Sequence, residues 1–145
     1  MARLSQLLGA RKRSVTPHKY SRRMDVVGNV RIEPESENIA IVVLTGEHDL
    51  GSLPRVRDAF DAVAGEGKAI LIDLCSTSFV DSSILGAILD ARRAAIEGER
   101  GFAVACDGSS EPVRRVLEVT GLNEELPVLP SREEALAGLG GRESP

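Results

Sequence analysis

Three short runs of branched apolar residues constrain this chain more than any other feature: Ile39-Ala40-Ile41-Val42-Val43-Leu44, Ala69-Ile70-Leu71-Ile72-Asp73-Leu74 and Phe102-Ala103-Val104-Ala105-Cys106. A strand with one wet face alternates apolar and polar residues. A run without alternation fits a strand buried on both faces, and such strands belong to parallel sheets covered by helices. The intervening segments carry helical spacing. Val56, Phe60 and Val63 share one face of a segment that Ser52 caps, Pro54 opens and Gly65 and Gly67 end. Leu85, Ile88, Leu89, Ala95 and Ile96 recur at helical spacing before Gly98. Val113, Val116 and Leu117 follow Pro112 and stop near Gly121. Ser131 with Glu134 matches a capping box ahead of Ala135, Leu136 and Leu139.

Two weaker strands complete the series. Val30 and Ile32 predict a short edge strand that Pro34 ends, close enough to the next run to pair as a hairpin. Leu126-Pro127-Val128-Leu129 predicts a weak final strand. The order is then β-β-α-β-α-β-α-β-α. It predicts an α/β single domain whose mixed sheet has central parallel strands at 39–45, 69–74 and 102–106, joined by right-handed crossovers and flanked by helices. A chain of 145 residues is long enough for one such core.

Ligand and partner surfaces in such sheets lie at the carboxyl ends of the strands. Two segments should meet there: the loop from Gly46 to Gly51, with Glu47, His48 and Asp49, and the turn Asp81-Ser82-Ser83. The second starts a helix, where free N–H groups and the positive end of the dipole collect. A hydroxyl at such a place is exposed and tolerates added negative charge, which suits a phosphorylation switch. Asp81 or Ser82 also suits plain N-capping. Glu47, Asp49, Asp81, Ser82, Ser83 and Ile84 make the rim acidic and apolar, fit for a basic partner. Leu85, Ile88 and Leu89 already supply a core face, so Ile84 is expected at the exposed rim.

Other chemistries fit poorly. His48 lies between Glu47 and Asp49, but a metal site needs several ligands at fixed spacing, so a solvated acidic loop is expected and no metal. A Ser82–His48–Asp49 triad lacks a Gly-x-Ser-x-Gly elbow, and Asp49 is too local to His48 to orient it. Asp73 ends a buried strand as in phospho-accepting receiver domains, yet the only lysines are Lys12, Lys19 and Lys68, and the late lysine of that site is missing. Asp73 is expected to be a loop-stabilising acceptor. No Gly-rich phosphate loop is present, so no nucleotide-hydrolysing site, cofactor or enzymatic activity is expected. Cys75 and Cys106 show neither metal nor redox spacing and are expected as reduced residues in or beside the apolar strands. With no Trp and four other aromatics, base stacking on nucleic acid is not expected. No apolar run approaches a membrane span and no secretory signal is evident, so a cytoplasmic protein without stable membrane insertion is expected.

A longer pattern then emerges. Leu44-Thr45-Gly46-Glu47-His48-Asp49, Ile72-Asp73-Leu74, Phe79-Val80-Asp81-Ser82-Ser83, Pro112-Val113-Arg114-Arg115-Val116-Leu117 and Thr120-Gly121-Leu122 occur in that order at those spacings. Together, over about residues 30–139, they resemble the STAS domain family, of the anti-sigma factor antagonist (anti-anti-sigma factor) type. The resemblance implies a partner-switching phosphoprotein. Its partner would be an anti-sigma factor with serine kinase activity and a histidine-kinase-like ATPase fold, whose capture frees a sigma factor for transcription. The residue phosphorylated would be Ser82, and a serine phosphatase would reset the switch. The family usually has Gly where this chain has Ile84. Some STAS domains instead serve membrane lipid- or anion-transport assemblies, which is the alternative reading.

Charge divides the chain. Residues 1–28 hold seven basic residues against Asp25, whereas the remainder holds eleven basic and twenty-one acidic residues. The expected organisation is a flexible basic arm over 1–28, a STAS domain over 29–139 and a disordered tail over 140–145. Leu4, Leu7 and Leu8 ahead of Arg11, Lys12 and Arg13 bury little area, so an unstructured leader is expected, dispensable for partner binding.

Overall fold

The structure, a computed structural model, describes residues 28–143. The apolar runs form the middle of a five-stranded sheet whose strands lie side by side in chain order. β1 (Asn29–Pro34) is the antiparallel edge, followed by β2 (Ile39–His48), β3 (Ala69–Val80), β4 (Phe102–Ala105) and β5 (Val128–Leu129), all parallel. Each crossover advances one strand in the same direction across the sheet. One face therefore receives α1 (Leu53–Gly65), α2 (Ser82–Glu97), α3 (Glu111–Thr120) and the short α4 (Leu122–Glu125), and α5 (Arg132–Glu143) covers the other.

This two-sided cover explains the missing alternation. Ala40, Val42 and Leu44 of β2 face α1 and α2, while Ile39, Ile41 and Val43 face the α5 side. Burying each of the Val, Leu and Ile side chains contributes about 1.5–3 kcal/mol. Pro112 opens α3, and Ser110 caps it by accepting from the Val113 N–H at 3.4 Å. Gly121 ends it in the left-handed region, at φ 77°, which glycine adopts without strain. Ser131 caps the last helix through the Glu134 N–H at 3.0 Å, half of the expected capping box.

Several boundaries differ from the sequence expectation. β2 and β3 run on to His48 and Val80, beyond 45 and 74, because ladder pairing continues through two register shifts that apolar periodicity cannot register. Thr77 is buried there, its hydroxyl donating to the Leu44 carbonyl at 2.6 Å. The final strand shrinks to two residues because α4 takes up the chain before it. Ile96, grouped by spacing with the core face of α2, is 58% exposed.

Asp73 lies one residue before the end of the buried run Ala69–Leu74, with 8% of its side chain exposed. It accepts from the Cys75 N–H at 2.9 Å and from Arg132 at 2.8 Å, and Arg132 also reaches Glu33 at 3.0 Å. The expected local acceptor is thus also a clasp between the sheet and the first turn of α5. Cys75 and Cys106 are half-buried and form no disulfide. Burial first, then the charge of Asp73, pushes the Cys75 thiol up to about 12, so it stays protonated.

Candidate functional site

The two loops that the topology brings together form one rim. Glu47 pairs with Phe79 and His48 with Val80 across the β2–β3 ladder. The N–H of Asp81 then donates to the carbonyl of His48 at 3.2 Å, joining the loops where the ladder ends.

Asp81 is the N-cap of α2. Its Oδ1 accepts from the N–H of Ser83 at 3.0 Å, the N–H of Ile84 at 3.3 Å and the hydroxyl of Ser83 at 2.6 Å. Burial pushes its carboxyl up, but these bonds and one from the Leu50 N–H outweigh burial and hold it below the usual carboxylate range. Capping and an exposed serine hydroxyl, which compete in the sequence, are thereby divided between neighbours. Asp81 takes the cap. Ser82 is the first residue of the helix and exposed, and among the described residues its hydroxyl has no hydrogen-bond partner. Ser83 is half-buried and occupied by Asp81.

Ile84 corrects an expectation. It is fully buried among the core residues beneath the start of α2, not at the rim. At an N-terminal helical position the side chain leans back toward the preceding turn, which here lies over the core. It offers no apolar anchor to a partner.

His48 corrects another. It is the last residue of β2 and is fully buried, not part of a solvated loop. Its Nε2 lies 3.1 Å from the carbonyl of Thr45, which takes the ring proton and leaves Nδ1 to accept from the Ser52 hydroxyl at 2.9 Å. Burial lowers its pKa, partly opposed by the carbonyls of Thr45 and Asn29. Both ring nitrogens are engaged, so His48 is not a base for Ser82. Ser52 in turn does not cap α1 with its side chain, because its hydroxyl is turned to His48, with the Asp49 carbonyl 3.2 Å away as the alternative acceptor.

Glu47 and Asp49 are exposed as expected, and Asp49 caps the 3₁₀ turn Leu50–Ser52 by accepting from the Gly51 N–H at 2.9 Å. Two apolar members of this rim escaped the sequence reading. Phe79 is 39% exposed and Leu50 is 66% exposed. Phe79 stands in the same motif as Asp81, and Leu50 is an apolar residue between Asp49 and Gly51, the only signals either carried. Among the described residues, no three His, Cys, Asp or Glu side chains cluster as a metal site would. No described helix is long and apolar enough to cross a membrane.

At the carboxyl edge of a mixed sheet, an exposed serine at a capped helix start thus stands beside an acidic strand end. The chain belongs to the STAS domain family, whose sequence pattern matches residues 32–135. It is 33% identical over 114 residues to the anti-sigma F factor antagonist of Paenibacillus polymyxa, covering 77% of this chain and 96% of that protein. It is 31% identical over 93 residues to the anti-sigma-B factor antagonist of Listeria monocytogenes, covering 63% of this chain and 79% of the relative. Among solved structures, an anti-sigma factor antagonist from Mycobacterium paratuberculosis superposes with a TM-score of 0.69 at 26% identity, over 77% of this chain and 93% of that one. The unphosphorylated anti-sigma factor antagonist SpoIIAA superposes with a TM-score of 0.66 at 22% identity, over 78% and 97% of the two chains, a likeness of fold.

Proposed function

We propose that this protein is a cytoplasmic anti-sigma factor antagonist, a binding switch and not an enzyme, controlled by phosphorylation of Ser82. Unmodified, the rim of Glu47, Asp49, Asp81 and Ser82 docks on an anti-sigma factor that is also a serine kinase of the histidine-kinase-like ATPase fold. That capture releases a sigma factor to transcription. The kinase then phosphorylates Ser82, the complex parts, and a serine phosphatase resets the switch. The domain proposed to do this spans 29–139.

The observation that carries the proposal is the division of labour at the helix start. Because Asp81 already satisfies the Ser83 and Ile84 amides, Ser82 is free to accept a phosphate without loss of the cap. The phosphate adds a charge of about −1.5 to −2 at the positive end of a sixteen-residue helix, which accommodates it. In an interface the same group must shed water beside the Asp81 carboxylate. A penalty of about 4 kcal/mol would lower affinity roughly a thousandfold. His48, Ser83 and Ile84 support this surface from below and do not offer free side chains to it.

The test is capture of partners on the immobilised protein, followed by incubation of the captured kinase with ATP and phosphosite mapping. Wild type and Ser83→Ala should be labelled at Ser82, and Ser82→Ala should not be labelled. Labelling that persists in Ser82→Ala would overturn the assignment.

A further inference from the structure

The rim that carries Ser82 is also where the basic arm joins the domain. β1 runs antiparallel to β2, with Asn29 opposite Thr45, so the chain enters the sheet at the carboxyl end of β2. Gly28 is buried there. A Cβ on it would overlap the carbonyl oxygen of Glu47 and the ring of His48, so only glycine fits. Arg55 of α1 donates to the Gly28 carbonyl at 3.1 Å and holds the junction down. The arm therefore departs from a fixed point beside Glu47.

The distances suit an intramolecular contact. Gly28 and the end of β3 are two strand spacings apart, about 10 Å, and Ser82 lies within roughly 15 Å. The five residues from Arg23 to Gly28 span up to about 17 Å when extended. Arg22 and Arg23 can thus reach the phosphoacceptor turn, and Lys19 can reach past it.

The chemistry is complementary on two counts. The rim presents Glu47, Asp49 and Asp81 together with Phe79 and the strongly exposed Leu50. The arm's last stretch offers Lys19, Arg22 and Arg23 against one acidic residue, Asp25, with Tyr20 and Met24 among them. We propose that segment 19–27 docks across this rim, its cations over the carboxylates and its Tyr20 and Met24 over Leu50 and Phe79. The arm then competes with a basic partner for the surface around Ser82. The docking does not depend on the proposed anti-sigma role. Only its consequence, a slower or weaker capture of the partner, rests on that reading.

A zero-length carbodiimide cross-link on the full chain tests the docking with no partner present. At low salt, the monomer fraction should yield amide links from Lys19 to Glu47, Asp49 or Asp81. These links should fall by about fivefold in the double variant Arg22→Glu, Arg23→Glu. They should fall likewise at about 1 M salt, where the screening length is roughly 3 Å. The amide resonances of Glu47, Leu50 and Ser83 should shift in the same variant, which reports the contact even where Lys19 itself is not cross-linked. Lys19 links spread equally over Glu111, Glu118 and Glu133 would overturn the proposal, as would links found only in a covalent dimer. Unmoved rim resonances together with absent links would overturn it too.

Discussion

The N–H of Asp81 donates to the carbonyl oxygen of His48 at 3.2 Å. One bond thus joins the last residue of β2 to the cap of α2. The acidic strand end and the proposed phosphoacceptor turn are one surface, and whatever moves His48 moves the ground under Ser82.

Replacing Ser82 with Asp should separate stability from binding. A carboxylate at the first helical position interacts favourably with the dipole, so stability should change by less than about 1 kcal/mol. Affinity for the anti-sigma partner should fall steeply. Thermal melting and calorimetric titration of the same preparation distinguish the two effects, and a large drop in melting temperature would mark Ser82 as structural.

Ile84 should behave as a core residue despite its place beside the proposed phosphosite. Ile84→Val is expected to cost about 1 kcal/mol, and Ile84→Gly more than about 3 kcal/mol, from the lost contacts, the cavity and glycine's helix penalty. Affinity per folded molecule should be unchanged in both. Chemical denaturation paired with a binding isotherm checks this, and a changed affinity in the valine variant would return Ile84 to the interface.

Acid should weaken the fold through His48. Its folded pKa lies below the unfolded value of 6.5, chiefly through burial. The unfolded chain therefore binds its proton first. The contribution of neutral His48 is fully present above the unfolded pKa and is lost as pH falls through that value toward the folded pKa. On protonation Nδ1 becomes a donor, and the Ser52 hydroxyl must turn to the Asp49 carbonyl. Urea midpoints taken from pH 8 to pH 5 should fall in wild type and flatten in His48→Gln. An equal slope in the variant would assign the effect to other groups.

Arg132→Ala should destabilise by about 2 kcal/mol by leaving Asp73 nearly buried with one charge partner fewer. The loss should be smaller than for a wholly buried pair, because about a third of the Arg132 side chain is exposed. Pairing Arg132→Met with Asp73→Leu should recover most of it. Denaturation of Arg132→Met, Asp73→Leu and the double variant provides the cycle, and additive losses would show that the clasp is not coupled.

Much of the architecture was legible because burial on two faces leaves a direct mark in the sequence. Ile39 to Leu44 and Ala69 to Ile72 cannot be mistaken for strands with a wet face, and the segments between them keep helical spacing. Parallel pairing and the convergence of Glu47 with Asp81 follow from that order. The strand ends were not legible. Thr45 to His48 and Ser76 to Ser78 are polar, and their pairing is held by the ladder and by Thr77 on the Leu44 carbonyl.

At the site, the sequence by itself determined the chemistry present: a cap-forming Asp, two adjacent serines and acidic neighbours at a strand-to-helix turn. Tertiary structure alone decided which residue does what. Asp81 and Ser82 are equally good caps in isolation, and only the fold aims the carboxylate at the Ser83 and Ile84 amides and leaves Ser82 outside. Ile84 and His48 look exposed by position, yet both are buried: Ile84 packs into the core beneath the start of α2, and at the end of β2 Ser52 and the Thr45 carbonyl close on the imidazole. Sequence periodicity reports which residues share a face of their own element. It does not report which neighbouring element will cover that face, and that is settled only when distant segments pack.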